Sequence, residues 1–93
     1  MAYRVEIRDA VWGDLERIPR NLQARIVRAI EERLATAPTQ YGVRLRQALS
    51  GLWKIRVGDY RIVYEMKDPT VMVWAIRHRT QVYGEATRRW LRS

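Results

Sequence analysis

Hydrophobic and polar positions alternate in short runs along this chain, and these runs predict strands. The first run covers residues 2–8, where every second residue from Tyr3 to Ile7 is apolar. A period of two is typical of a strand with one buried face. The run 71–76 is continuously apolar and predicts a buried strand, and a short strand is predicted at residues 43–46.

The segment 52–64 predicts two strands joined by the two-residue turn Gly58-Asp59. A glycine-containing pair between two alternating runs is a short-range hairpin signal. With this turn, Arg56 lies opposite Arg61. Side chains alternate between the two faces of a strand. The apolar face then carries Trp53, Ile55, Val57, Tyr60, Ile62 and Tyr64, and the other face carries Lys54, Arg56 and Arg61.

The next hairpin admits two registers. A four-residue loop at 67–70 places Arg77 on the face of Tyr60, whereas a five-residue loop at 67–71 pairs Arg77 with Arg61. We favour the second, because it brings the positive side chains together. It also sends three more residues to the apolar face: Met72, Trp74 and Ile76.

Apolar residues at spacings of three and four predict two N-terminal helices and one at the C-terminus. Asp9 is expected to cap the first helix, and Pro19 breaks or restarts it. The second helix ends before Pro38 and is followed by a loop at 36–42. Its apolar stripe has one residue in every four: Leu22, Ile26, Ile30 and Leu34. The third helix covers residues 81–91.

The element order β-α-α-β-β-β-β-α predicts an α+β fold, with a small antiparallel curved sheet packed on an N-terminal helical hairpin. A chain of 93 residues is expected to form one domain, 1–93, with a modest core. It has no cysteine, which excludes disulfides and thiolate metal sites. We expect no cofactor, no metal and no membrane span. The chain shows no signal-peptide pattern, so a cytoplasmic location is the default expectation.

The positive charge is concentrated in the second half of the chain. The net charge is +8, and residues 44–93 carry 11 Lys and Arg against 4 Asp and Glu. Sixteen of the 18 cations are arginine, which suits bidentate phosphate contact. This asymmetry favours a polyanionic partner, although a solvated basic surface or an acidic protein partner would also account for it.

The predicted strands place four cations in one patch: Lys54, Arg56, Arg61 and Arg77. RNA cleavage at a phosphodiester needs a base, positive groups around the phosphate and an acid for the leaving oxygen. Arginine stabilises charge but is a poor base. Lys54 is the better candidate base, because neighbouring positive charges favour its neutral form. Tyr83 is expected to stack on a base or orient a phosphate.

Each of these residues also has an ordinary structural interpretation. A single Lys or Arg on a strand is usually a solvated surface residue. Only the clustering of four such residues favours a functional role. His78, with Arg79, lies just beyond the patch, where it suits either acid–base chemistry or a turn. Trp12 and Trp90 lie at the edges of apolar stripes and suit contact with a partner.

Over nearly its whole length the chain resembles the RelE/ParE superfamily of bacterial and archaeal toxins, and specifically its RelE branch. The resemblance rests on the Met-Ala-Tyr start, the helical hairpin, and three motifs. These motifs are Arg44-Leu45-Arg46, the hairpin from Trp53 to Tyr64, and Arg77-His78-Arg79-Thr80-Gln81-Val82-Tyr83.

The resemblance implies the toxin of a type II toxin–antitoxin system, an mRNA interferase that cuts codons in the 30S A site of the ribosome. The attack of a 2′-hydroxyl leaves a 2′,3′-cyclic phosphate and a 5′-hydroxyl. By position, Lys54 matches the proposed general base, Arg61 the phosphate-stabilising arginine, Arg77 the residue assigned to leaving-group protonation and Tyr83 the substrate-stacking tyrosine. The residues that match RNA-binding positions or lie beside them are Arg44, Arg46, Arg56, His78 and Arg79.

The resemblance also implies a partner, a RelB-like or similar antitoxin that wraps the toxin. The free toxin is expected to be a monomer, and the complex a heterodimer or heterotetramer. Three alternatives stay open: a ParE-like inhibitor of DNA gyrase without nuclease activity, a non-catalytic RNA-binding module, and a degenerate toxin kept as a repressor partner. The cationic patch favours the nuclease, because ParE-like chains generally lack it.

Overall fold

The computed structural model describes residues 2–93 and contains five strands and four α-helices. The strands are β1 (Arg4–Ile7), β2 (Val43–Arg44), β3 (Leu52–Val57), β4 (Tyr60–Lys67) and β5 (Thr70–His78). The helices are α1 (Asp9–Glu16), α2 (Arg20–Ala29), α3 (Pro38–Tyr41) and α4 (Val82–Leu91), with a 3₁₀ turn at Gln47–Leu49. None of these described helices has the length and apolar character that a bilayer-spanning segment needs.

The five strands form one curved mixed sheet in the order β1-β5-β4-β3-β2. Strands β2 to β5 pair antiparallel, whereas β1 lies parallel to β5, with Arg4 opposite Thr70. The α+β fold and the predicted element order are confirmed. The sheet is mixed because three helices and three strands separate β1 from β5, and parallel pairing requires such a long crossover.

Both faces of the sheet are covered, so the molecule has two apolar clusters. One cluster lies between the sheet and the N-terminal helices, and includes Ile55, Ile62 and Tyr64 as predicted. The other contains Val63 from β4 and Ala86 from α4, on the opposite face. Helix α4 therefore packs on the same face of the sheet as the positive side chains of the hairpin.

Helix α2 continues into a π-helical turn, Ile30–Leu34, where the amide of Ala35 donates to the carbonyl of Ile30 at 2.9 Å. In a straight α-helix a stripe with one apolar residue in four drifts by about 40° per step, because the helix has 3.6 residues per turn. The wider π turn absorbs one extra residue. It returns Leu34 to the face of Ile26, and both side chains are almost fully buried.

Two local predictions are wrong. Asp9 is the first residue of α1 rather than its N-cap, which is Arg8, and no side chain caps this helix. Asp9 still places a negative charge in the first turn, where the helix dipole favours one. The predicted loop at 36–42 contains helix α3, which starts at Pro38 because proline pre-sets the φ of a first helical residue.

The β4–β5 hairpin combines both registers that the sequence allowed. Its turn is Asp68-Pro69, with a cis peptide bond, and Met66 pairs with Val71 in the register of the four-residue loop. Beyond a bulge the pairing shifts by one residue, so that Arg61 lies opposite Arg77 as in the favoured register. The pairing of the two arginines was therefore predicted correctly, but the turn was not.

Trp74 is the extra residue of this bulge, since Val73 and Ala75 pair with consecutive residues of β4. Trp74 and Met72 belong to the apolar cluster on the face that α4 covers, and only Ile76 takes the predicted face. The sequence pattern could not reveal the bulge, because a continuous apolar run suits a strand that is buried on both faces.

Candidate functional site

Positive residues on three neighbouring strands lie opposite one another on the face of the sheet that α4 covers. Arg56 on β3 lies opposite Arg61 on β4, which lies opposite Arg77 on β5. Lys54 precedes Arg56 by two residues and shares its face. We call these four residues the cationic row. Cβ atoms of directly paired residues lie about 5 Å apart, so the row concentrates positive charge in a way that suits a polyanion.

Lys54 contacts Tyr83, the one aromatic residue that was predicted from the sequence to belong to the site. Its Nζ donates a hydrogen bond to the hydroxyl of Tyr83 at 3.1 Å and lies 5.3 Å from the centre of that ring. Both side chains are half-buried. Because Lys54 belongs to β3 and Tyr83 to the first turn of α4, the position of the helix determines how the amine is held.

Arg61 is held against its own turn. Its Nη1 donates to the carbonyl of Gly58 at 3.0 Å and to that of Tyr60 at 2.9 Å. Gly58 opens this turn with a φ of +60°, a conformation that glycine adopts without steric cost. These bonds occupy a single guanidinium nitrogen, so the other N–H groups of Arg61 remain for an anion.

Arg77 is paired with carboxylates, and this pairing was not predicted from the sequence. Its Nε donates to Oδ1 of Asp14 at 2.9 Å, and its Nη1 lies 4.0 Å from Oε1 of Glu85. Only 22% of the Arg77 side chain is exposed. One edge of this guanidinium is therefore occupied, and the Nη atoms are the donors that remain for a ligand.

Asp14 is the centre of this ion-pair network and lies beside the edge of β5. Its Oδ2 accepts a hydrogen bond from the backbone amide of Ile76 at 3.0 Å. Ile76 lies beyond the part of β5 that pairs with β1, since β1 ends at Ile7 opposite Val73. Arg89 of α4 binds both carboxylate oxygens, at 2.8 and 2.9 Å. Burial by itself raises the pKa of Asp14. The hydrogen bonds that Asp14 accepts, that of Arg89 first, outweigh burial and hold this pKa below its ordinary value.

Glu85 and Arg89 extend the network along α4. Nε of Arg89 donates to Oε2 of Glu85 at 2.9 Å, and Arg88 pairs with the same carboxylate. Burial raises the pKa of Glu85, but the hydrogen bond from Arg88 and the charge of Arg89 lower it further than burial raises it. The pKa of Arg89 is raised, above all by its hydrogen bond with Asp14. The network thus ties α1 to the helix that carries Tyr83.

A sequence signal for Asp14 did exist. It follows Val11 by three residues and precedes Ile18 by four, which places its carboxylate on the buried face of α1. A buried carboxylate requires a positive partner. The pattern could not identify that partner, since Arg77 and Arg89 lie 63 and 75 positions away along the chain.

Two of the predicted RNA-binding residues precede β3 and are not part of the row. Arg44 pairs with Trp53 on the face opposite to Lys54, and its guanidinium lies 5.1 Å from the centre of the Trp53 ring. Arg46 is exposed and follows β2 at the start of the 3₁₀ turn. Within residues 2–93, no group of three or more His, Asp or Glu side chains could hold a metal ion.

Of the other three predicted RNA-binding residues, Arg56 belongs to the cationic row, and His78 and Arg79 lie at the end of β5. His78 pairs with Tyr60 on the face opposite to the cationic row, with the two ring centres 5.8 Å apart. Its Nδ1 lies 2.9 Å from the hydroxyl of Thr80. Arg79 is exposed, and its Nε lies 3.9 Å from a carboxylate oxygen of Asp59. The structure therefore pairs the three arginines across neighbouring strands and joins Lys54 to Tyr83, and it leaves His78 and Arg79 at the margin of the row.

The chain is similar to known toxins in both sequence and structure. Residues 5–83 match a family model described as the ParE toxin of the type II toxin-antitoxin system parDE. The chain is 31% identical to Toxin RelG of Mycobacterium tuberculosis over 85 residues, which cover 89% of this chain and 98% of that protein. It is 38% identical to Toxin RelE of the same organism over 66 residues, or 71% and 68% of the two proteins. The crystal structure of the toxin-antitoxin complex RelBE2 from that organism contains a chain with 30% identity and a TM-score of 0.81, covering 85% of this chain and 100% of that one.

Proposed function

This chain belongs to the RelE/ParE superfamily of type II toxins, and on this basis we propose that it is an endoribonuclease that cuts messenger RNA in the ribosomal A site. The observation that carries the proposal is the cationic row with Tyr83 bound to its lysine. A phosphodiester attacked by the neighbouring 2′-hydroxyl gains negative charge in the transition state. Positive side chains that are already in place stabilise that charge.

The proposed reaction forms one bond and breaks one. The 2′-oxygen bonds to phosphorus while the bond from phosphorus to the 5′-oxygen breaks. A base takes the proton of the 2′-hydroxyl, and an acid supplies a proton to the leaving 5′-oxygen. The products are a 2′,3′-cyclic phosphate and a 5′-hydroxyl end.

We assign the base role to Lys54, which Tyr83 orients through its hydroxyl. Arg61 and Arg56 stabilise the phosphate. Arg77 presents its Nη atoms to the leaving oxygen, because Asp14 occupies its Nε. An arginine does not lose its proton in proteins. Arg77 therefore stabilises the leaving oxygen, and the protonated Lys54 or water supplies the proton.

The proposed partners follow from the same family. An antitoxin is proposed, since the RelBE2 structure is that of a toxin-antitoxin complex. It would cover three of the apolar residues that are more than half exposed: Trp12, Tyr41 and Val43. The ribosome is the second partner, which implies action in the cytoplasm. Arg44, Arg46, His78 and Arg79 are proposed to contact RNA at the margin of the cationic row.

A second candidate function is inhibition of DNA gyrase without nuclease activity. The description of the matching family model as a ParE toxin favours it. A nuclease and a gyrase inhibitor would share the fold and the antitoxin, so neither of these two properties distinguishes between the functions. We prefer the nuclease because the chain carries the side chains that an RNA substrate requires, namely the cationic row and Tyr83.

Primer extension on ribosomes programmed with a defined messenger tests the proposal. The wild type is expected to produce a cut within the A-site codon, and Arg61→Ala and Lys54→Ala are each expected to lower the cleavage rate by about a hundredfold or more. Arg92→Ala removes one exposed arginine outside the site and serves as the control for lost charge. An intact messenger with folded wild-type protein would refute the nuclease, and inhibition in a gyrase supercoiling assay would then support the second candidate.

A further inference from the structure

A second group of arginines lies where helix α2 and its π turn meet the end of β3. A shallow concavity of about 170 Å³ is lined there by Ala29, Glu32, Arg56, Val57 and Gly58, together with three arginines of the helix. These three are Arg25, Arg28 and Arg33, and we call them the arginine cradle. Arg56 belongs to the cationic row and also lines this concavity, so the two positive surfaces adjoin.

The cradle arginines are not neutralised by the protein. Among residues 2–93, no carboxylate forms an ion pair with any of the three, although Glu32 also lines the concavity. Arg33 donates from Nη1 to the carbonyl of Arg56 at 3.0 Å, and the guanidinium of Arg25 lies beside Gly58. These contacts position two of the guanidinium groups without cancelling their charge. Like charges held close together repel, and a bound polyanion would offset that cost.

The π turn is what aligns Arg33 with the rest of the cradle. Arg33 follows Arg28 by five residues, which in a straight α-helix separates them by about 140° around the axis. The extra residue of the π turn reduces this to the separation of a four-residue step, about 40°. The same irregularity that buries Leu34 therefore gathers the arginines on one face.

We propose that the arginine cradle binds the phosphate backbone of a double-helical RNA segment, separately from the single strand at the cationic row. The residues that line the concavity include no aromatic side chain. Surfaces that bind unpaired bases rely on aromatic stacking, whereas double-stranded RNA is recognised through its phosphates and 2′-hydroxyls. Arginine is the residue whose planar fork best matches phosphate.

The same lining argues against a protein partner at the cradle. Protein interfaces have an apolar centre in which a few large side chains are buried. The apolar residues of this concavity are Ala29 and Val57, and both are buried within the toxin. The proposal extends the proposed function to a second RNA contact, and it does not depend on whether RNA is cut at the cationic row.

Fluorescence anisotropy with a labelled RNA hairpin tests the cradle directly. The hairpin carries 2′-O-methyl riboses, so that it offers no 2′-hydroxyl for attack and a failure of cleavage does not affect the result. The test protein is the full chain with Arg25→Ala and Arg28→Ala, both at exposed positions. The control carries Arg4→Ala and Arg92→Ala, which remove the same charge from exposed positions outside the cradle. Circular dichroism checks that both proteins are folded.

We expect the test variant to bind the hairpin about tenfold more weakly than wild type, and the slope of log K against log salt to decrease by roughly two, one unit for each lost phosphate contact. The control is expected to change affinity by less than about threefold with an unchanged slope. Equal losses in both variants would show diffuse attraction to net charge and overturn the proposal. So would an unchanged hairpin affinity combined with weaker binding of polyglutamate, which would assign the cradle to an acidic protein.

Discussion

Asp14 of α1 and Arg89 of α4 form a bidentate ion pair beside the edge of β5, although 75 positions separate them in the chain. The same carboxylate accepts hydrogen bonds from Arg77 and from the backbone of Ile76. One buried side chain therefore joins the N-terminal helix, the longest strand and the helix that carries Tyr83. The consequences for stability and for the site can be measured separately.

Asp14→Ala is expected to lower the free energy of unfolding by about 3 kcal/mol, because it leaves two largely buried guanidinium groups and one amide without their acceptor. Urea denaturation followed by circular dichroism measures this loss. Asp9→Ala is the control, since Asp9 is an exposed carboxylate of the same helix. A loss below about 1 kcal/mol for Asp14→Ala would show that the network does not stabilise the fold.

Acid is expected to destabilise the protein through the same network. The folded state holds the pKa values of Asp14 and Glu85 below the ordinary value, so their contribution to stability is complete above the unfolded carboxyl pKa of about 4. As the pH falls below this value, the unfolded state binds protons first, and the contribution is lost as the pH passes through the lower folded pKa. Urea midpoints between about pH 6 and about pH 2 measure the effect.

Asp14→Asn is the matched variant for this pH series, because it keeps the shape of the side chain and removes its titration. Its stability is expected to depend less steeply on pH than that of the wild type over the acid range. Parallel curves for the two proteins would mean that Asp14 does not contribute to the acid sensitivity.

The hydroxyl and the ring of Tyr83 are expected to contribute separately to cleavage. Tyr83→Phe keeps the ring and removes the hydrogen bond to Lys54, and a loss of about tenfold in the single-turnover rate on ribosomes is expected. Tyr83→Ala also removes stacking and is expected to lose about a hundredfold. Tyr41→Phe, at an exposed tyrosine, is the control. Equal rates for Tyr83→Phe and wild type would exclude a role for the hydroxyl in orienting Lys54.

Two glycines are expected to respond to alanine with opposite signs. Gly58→Ala is expected to cost about 1 kcal/mol of unfolding free energy, because Gly58 has a positive φ that a Cβ disfavours. Gly13 lies in α1, and a Cβ there would meet nothing within 4 Å. Gly13→Ala is therefore expected to stabilise the protein by about 0.5–1 kcal/mol. Thermal melting of both variants tests this contrast, which fails if the two shifts have the same sign.

The β3–β4 hairpin was predicted from the sequence correctly. The pairing of Arg56 with Arg61 follows from a two-residue turn and from the alternation of strand faces, and the structure confirms it. Trp74 was predicted on the wrong face of the sheet, because its position depends on a bulge in a run of uniformly apolar residues. The π turn was missed for a similar reason, since an apolar residue in every fourth position suits an α-helix with some drift.

The sequence by itself determined the superfamily, the α+β element order and the pairing of Arg56 with Arg61, because periodicity, turn chemistry and motifs act over a few residues. The tertiary structure alone decided which arginines would neutralise Asp14, that Arg44 and His78 would lie on the opposite face from Lys54, and that three helical arginines would gather in one cradle. The physical reason is that these contacts join residues that only packing brings together. A change of one residue in helical phase or strand register moves a side chain to another face.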